Sequence, residues 1–166
     1  MTTYAFPHFG NLPIGNLEEY YQVKIDFNGT EIQMDLNFEH TTIETSTIDE
    51  IKNFIENIDK FNMLNKSYIL NDYNDEEGDT VKFYINHHLD EVSKDELSKL
   101  IDVEVKSIEQ EMQLLNQLKL MRVGLYPHNE ESFAIFDYSI GQDISSYLVV
   151  INTNKNGELI YMTMES

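Results

Sequence analysis

Asn28-Gly29 separates two runs of strict alternation, and this arrangement constrains the fold more than any other stretch of the chain. Before the pair, Val23, Ile25 and Phe27 alternate with polar residues; after it, Ile32, Met34, Leu36 and Phe38 resume the alternation. Asn-Gly is the preferred pair for a two-residue type I′ turn, whose central residues both take positive φ. Such a loop sets Phe27 opposite Thr30, Ile25 opposite Ile32 and Val23 opposite Met34, so turn chemistry and hydrophobic face agree. The other face carries Gln22, Lys24, Asp26, Glu31, Gln33 and Asp35 and is expected to be a solvated sheet surface.

From residue 47 the period changes. Ile48, Ile51, Phe54, Ile55, Ile58 and Phe61 fall at helical spacing, and Thr47 followed by Glu50 predicts a capping box opening a helix over 47–61. A second helical stretch through Met63, Leu64, Tyr68 and Ile69 leads into an acidic loop at 72–79. Val81, Tyr84, Ile85, His88, Leu89 and Val92 form a further apolar stripe. Ser93 with Glu96 opens a short helix carrying Leu97, Leu100 and Ile101. The stripe Val105, Ile108, Met112 and Leu115 closes the helical half.

Period two returns at Leu120, with strands expected over 120–126, 133–138, 147–153 and 159–164. Asn154-Lys155-Asn156-Gly157 suits a three-residue hairpin with glycine in the left-handed position, which sets Val150 opposite Met162. A helical middle between β ends argues for a single α+β domain over 1–166. Its sheet is largely antiparallel, built from the N-terminal hairpin plus four C-terminal strands, with the helices packed on one face.

The chain holds 30 acidic and 11 basic residues, a net charge of −19, with most of the acids before residue 112. Hydrophobic residues make up 41%, too much for a disordered acidic tail. A surplus of this size steers basic partners inward and disfavours direct binding to a nucleic-acid backbone. Cysteine is absent, which excludes disulfides, thiol catalysis and thiolate metal sites and fits a reducing compartment. Residues 1–8 carry neither a basic n-region nor an apolar stretch, and the apolar run at 147–151 falls far short of a membrane span. The expected location is cytoplasmic, away from membranes.

Asp72, Asn74 and Glu76 stand at alternate positions like the start of an EF-hand loop, but the pattern then fails. Glu77 occupies the place of the turn glycine and Phe83 that of the final glutamate. The loop is therefore read as solvated, with Asp79 capping the next helix and with Asp72, Asp75, Glu76, Glu77 and Asp79 as a candidate docking patch for a basic protein. His87 and Glu91 are four residues apart on one helical face, yet two ligands do not make a metal site, and His88 on the apolar stripe reads as a satisfied core histidine. Ser139, in Asp137-Tyr138-Ser139-Ile140-Gly141, lacks the preceding glycine of a nucleophile elbow and reads as a turn residue. Carboxylates are too numerous for any pair to stand out as acid and base. No glycine-rich phosphate loop is present. Tyr20, Tyr21, Tyr126, Tyr138, Tyr147 and Tyr161 are read as ordinary sheet residues. No catalytic residue, metal ligand or cofactor is assigned.

Three stretches carry a resemblance: Phe9-Gly10-Asn11-Leu12 with the Leu17-to-Phe38 hairpin, the Val81-to-Leu89 segment, and the ending from Gly157 to Ser166. Together they make the chain resemble a family of small acidic bacterial proteins known only as a domain of unknown function. That resemblance implies no activity or site. The favoured function is a protein-interaction module, of immunity or regulatory type, that binds a basic partner. The alternatives are an enzyme or small-ligand or metal binder without a linear motif, and a DNA-mimic inhibitor.

Overall fold

The computed structural model describes residues 2–166. A short antiparallel hairpin of β1 (Thr3–Phe6) and β2 (Gly10–Pro13) comes first. Each strand has only four residues, too few for alternation to mark it in the sequence. Phe6 and Leu12 nonetheless enter the main core, and Lys52 lies over the Tyr4 ring, which sets the hairpin beside the first helix.

The predicted hairpin follows as β3 (Tyr20–Phe27) and β4 (Thr30–Asn37), with Phe27, Ile25 and Val23 opposite Thr30, Ile32 and Met34 as expected. Asn28 and Gly29 both take positive φ, at 51° and 83°. The helices are α1 (Thr45–Glu56), α2 (Ile58–Asn74), α3 (Val81–Glu91), α4 (Lys94–Leu97) and α5 (Ser107–Leu115). Four strands complete the chain: β5 (Lys119–Leu125), β6 (Ala134–Ser139), β7 (Leu148–Thr153) and β8 (Leu159–Glu165).

Strands β3 to β8 form one six-stranded sheet in sequence order, antiparallel throughout except where β4 meets β5. A parallel neighbour requires a crossover, and the five helices between β4 and β5 supply it. Register then builds one apolar row across the sheet, Val23, Met34, Val123, Phe136, Ile151 and Met162, and the helices pack over that face. The fold is α+β, as the periodicities predict.

Several local expectations are corrected. Thr47 does not open α1: its amide and that of Ile48 already bond to the Glu44 carbonyl, and no side chain caps this end. The stretch 47–61 is two helices, because the Asn57 side chain donates to the Asn53 carbonyl at 2.7 Å and competes with helical bonding there. The break lets Phe54 of α1 stack on Phe61 of α2, ring centroids 4.1 Å apart. In α5 the buried residues are Glu111, Leu114 and Leu115, while Ile108 and Met112 are exposed. Ser93 does cap α4 through the Glu96 amide. Val150 faces Thr163 and Met162 faces Ile151, since an irregularity beside Asn152 and Thr153 shifts the register by one.

Candidate functional site

The acidic candidates divide into two groups. Asp72 lies within the last turn of α2, half-buried, and its Oδ2 accepts the Val81 amide at 2.8 Å. It, rather than Asp79, caps α3: a carboxylate at a helix N-terminus satisfies an orphan donor and complements the dipole. Asp75 ends α2, and its Oδ1 accepts the Glu77 amide at 3.0 Å, which sets the turn. Asp79 accepts from the Thr80 hydroxyl at 3.3 Å. Asp75, Glu76, Glu77 and Asp79 are exposed, and among the described residues none of them forms an ion pair. The structure thus gathers four of the five acids into one open patch and gives Asp72 to the fold.

The end of the acidic loop touches a strand that carries an exposed apolar stretch. The Thr80 hydroxyl lies 3.4 Å from the Met162 carbonyl, which places the end of the acidic loop against β8, an edge strand of the sheet. Leu159, Ile160 and Tyr161 are exposed at the start of that strand, Tyr161 by 51%. Phe83, in the first turn of α3, is 61% exposed and stacks with His87, which in turn meets Tyr147 edge-on at 5.0 Å. An edge strand with consecutive exposed apolar residues is normally blunted by charge or a bulge. Here Glu158 precedes the strand and Glu165 ends it, and Leu159, Ile160 and Tyr161 between them stay exposed. Tyr161 and Tyr147 were expected to be plain sheet residues; Tyr161 is in β8 and Tyr147 just precedes β7, and both are exposed.

His87, His88 and Glu91 share the wall of a cleft of about 430 Å³, with Glu96, Ser145, Ser146 and Tyr147 opposite or beside them. Among the described residues no group of three histidine, aspartate or glutamate side chains is placed to hold a metal ion. His88 is satisfied within the fold: Nδ1 lies 2.6 Å from the Tyr84 carbonyl and Nε2 lies 2.6 Å from Ser145 Oγ. Burial lowers its pKa from the ordinary 6.5, the charge of His87 adds to that, and the Tyr84 carbonyl opposes it. Below about pH 6.5 the unfolded chain therefore takes up a proton that the folded chain resists, and this contribution to stability is lost as pH falls. His88→Gln should flatten the fall in unfolding free energy from about pH 7 to about pH 5 relative to the parent, in paired denaturant titrations. Parallel curves would show that His88 does not carry the dependence.

The periodicity missed a polar cluster on the helix-free face of the sheet. Asp35, expected to be solvated, is fully buried and receives Arg122 Nε on Oδ1 at 2.8 Å and Nη2 on Oδ2 at 2.9 Å. Nη2 also donates to the Tyr126 hydroxyl, Asn37 donates to Asp35, and Nη1 lies 3.5 Å from Asp137. Burial raises the Asp137 pKa, with Arg122 opposing it. A Cβ on Gly124 would stand 2.4 Å from Nη2, so the glycine provides the space in which the guanidinium lies. Arg122 is the only arginine of the chain; its Nε and Nη2 donate to Asp35 and Tyr126, and Nη1 is left with the 3.5 Å contact to Asp137. The cluster is a clamp across β4, β5 and β6, and Arg122 and Asp137 also border a cleft of about 260 Å³ on that face.

Ser139, read as a turn residue, ends β6 and accepts the Gly141 amide at 2.9 Å. Among the described residues no helix is long and apolar enough to cross a membrane. Comparisons with protein-family profiles, curated proteins and solved structures give no match for this chain.

Proposed function

We propose that this chain is a protein-interaction module, of immunity or regulatory type, that binds a basic protein through the 75–79 loop and the start of β8. The observation that carries the reading is that four exposed acids, none in an ion pair among the described residues, sit on a loop whose end touches edge strand β8 at Met162, next along the strand to the exposed Leu159, Ile160 and Tyr161. An apolar centre rimmed by charge is the anatomy of an interface, with the apolar part supplying affinity and the charge supplying speed and orientation. The net charge of −19 extends that field beyond the patch. The resemblance to small acidic bacterial proteins belongs to the same proposal and adds no activity to it.

The test is affinity capture from cells of the source organism, run at low and high salt with three baits. These are the parent chain, a variant with Asp75→Asn, Glu76→Gln, Glu77→Gln and Asp79→Asn, and Tyr161→Asp. A partner of this kind is basic, is lost at high salt, and is captured at least about tenfold less well by either variant. Capture that ignores both the salt and the four neutralised acids refutes the reading. Duplex DNA competing for the captured protein would instead favour a DNA mimic.

A further inference from the structure

We propose that Ser145 and His88 form a nucleophile and base that take acyl groups from small esters carrying a positive charge, a role separate from the acidic docking surface. Ser145 and His88 are 57 residues apart in sequence, which is why no linear motif announces them. The Tyr84 carbonyl beside Nδ1 can only accept a hydrogen bond, so Nδ1 carries the proton and Nε2 presents its lone pair. The Ser145 hydroxyl, 2.6 Å away, therefore donates to Nε2. That is the geometry in which a serine is activated by a base whose other nitrogen is held by a third group.

The loop carrying Ser145 is held from several sides. The amides of Ile144 and Ser145 both bond to the Gly141 carbonyl, and the Tyr147 amide donates to Ser145 Oγ at 3.1 Å. The Tyr84 hydroxyl donates to the Tyr147 carbonyl and accepts the Ile140 amide, tying both flanks of the loop to α3. Tyr84 thus orients the base through its carbonyl and the nucleophile's loop through its hydroxyl. The Ser146 amide, directly after the nucleophile, has no hydrogen-bond partner among the described residues. That position supplies an oxyanion donor in serine hydrolases.

Ser145 is half-buried and borders the cleft of about 430 Å³, enough for a small ligand. Glu91 and Glu96 line it and no lysine or arginine does; Glu96 is already paired with Lys99 at 3.1 Å, so it is Glu91, in no ion pair among the described residues, that gives the cleft its preference for a cationic group. Esters rather than amides fit the chemistry, because a neutral carbonyl behind the histidine stabilises an imidazolium less than a carboxylate would. In the acylation step Ser145 Oγ bonds to the ester carbonyl carbon while its proton passes to His88 Nε2. The tetrahedral adduct expels the alcohol, which leaves with that proton. Water then attacks the acyl-serine, giving up a proton to Nε2, and Ser145 departs by taking the proton back, which releases the carboxylic acid.

A biotinylated fluorophosphonate, which phosphonylates an activated serine with loss of fluoride, tests the pair directly. The expected result is a single adduct mapped to Ser145 by peptide mass spectrometry, with labelling at least about tenfold slower in folded His88→Gln and absent in Ser145→Ala. Because His88 is only 1% exposed, Ser145→Cys provides a second route that leaves the buried histidine in place. The chain has no cysteine of its own, so that variant carries one thiol, and His88 should make it react with iodoacetamide at about pH 6 at least about tenfold faster than a free thiol. A thiocholine ester should acylate the parent faster than the neutral 4-nitrophenyl ester of the same acid once each is corrected for its rate in water. No adduct at Ser145, ordinary thiol reactivity in Ser145→Cys, or equal corrected rates for the two esters would each overturn the corresponding part of the proposal.

Discussion

Arg122→Ala lowers the free energy of unfolding by about 3–5 kcal/mol in a denaturant titration, the range for removing one partner of a buried ion pair. The effect comes from what is left behind. Asp35 is fully buried, and without the guanidinium its carboxylate retains only the donated hydrogen bonds of Asn37 and Gln33. The location adds to the effect, because β4 and β5 pair over only Gln33 to Leu36, and this short parallel ladder joins the β3–β4 hairpin to the rest of the sheet. Replacing both charges, Asp35→Leu with Arg122→Met, should recover most of the loss, since an apolar pair leaves no uncompensated charge. Gly124→Ala should shift stability in the same direction as Arg122→Ala but less, because its Cβ displaces the guanidinium without deleting it. If Arg122→Ala cost under about 1 kcal/mol, the pair would be behaving as an exposed one and the clamp would be refuted.

The same residues show how far the sequence could be read. Alternation correctly placed Asp35 on the face away from the helices, yet its burial depends on a partner 87 residues later, and no local pattern encodes that. The β3–β4 register was legible because Asn28-Gly29 fixes both turn type and loop length. The β7–β8 register was misjudged by one residue because the irregularity beside Thr153 lies in backbone geometry rather than residue type. The acidic loop was legible as a cluster, but the division of labour within it was not. Asp72 caps a helix that starts nine residues on, and it does so from inside α2, which runs on to Asn74, two residues into the stretch that reads as a loop. The exposed apolar stretch of β8 was hidden for a related reason: Leu159, Ile160 and Tyr161 carry the pattern of a half-buried strand, and only sheet order makes β8 an edge. His88 was legible as a buried histidine, whereas Ser145 lacked any signal of its own.

The turn that places this edge strand yields the second large effect: Gly157→Ala costs about 2–4 kcal/mol, from left-handed backbone strain combined with overpacking. Gly157 has φ +79°, and a Cβ there would stand 2.4 Å from Cδ1 of Phe61. Phe61 cannot easily move aside, because its ring is stacked on Phe54, which is buried among Phe133 and Phe136. The turn is also tied down by the Tyr68 hydroxyl, which donates to the Gly157 carbonyl at 2.8 Å, and by the Lys155–Glu50 pair at 2.9 Å. Relief by moving the turn would therefore loosen β8 where Leu159 to Tyr161 are presented. A double-mutant cycle separates the two causes. In a Phe61→Ala background the ring is gone, and Gly157→Ala should cost only the backbone strain, about 1 kcal/mol. An undiminished cost in that background would place the whole effect in the backbone and remove the contact with Phe61 from the account.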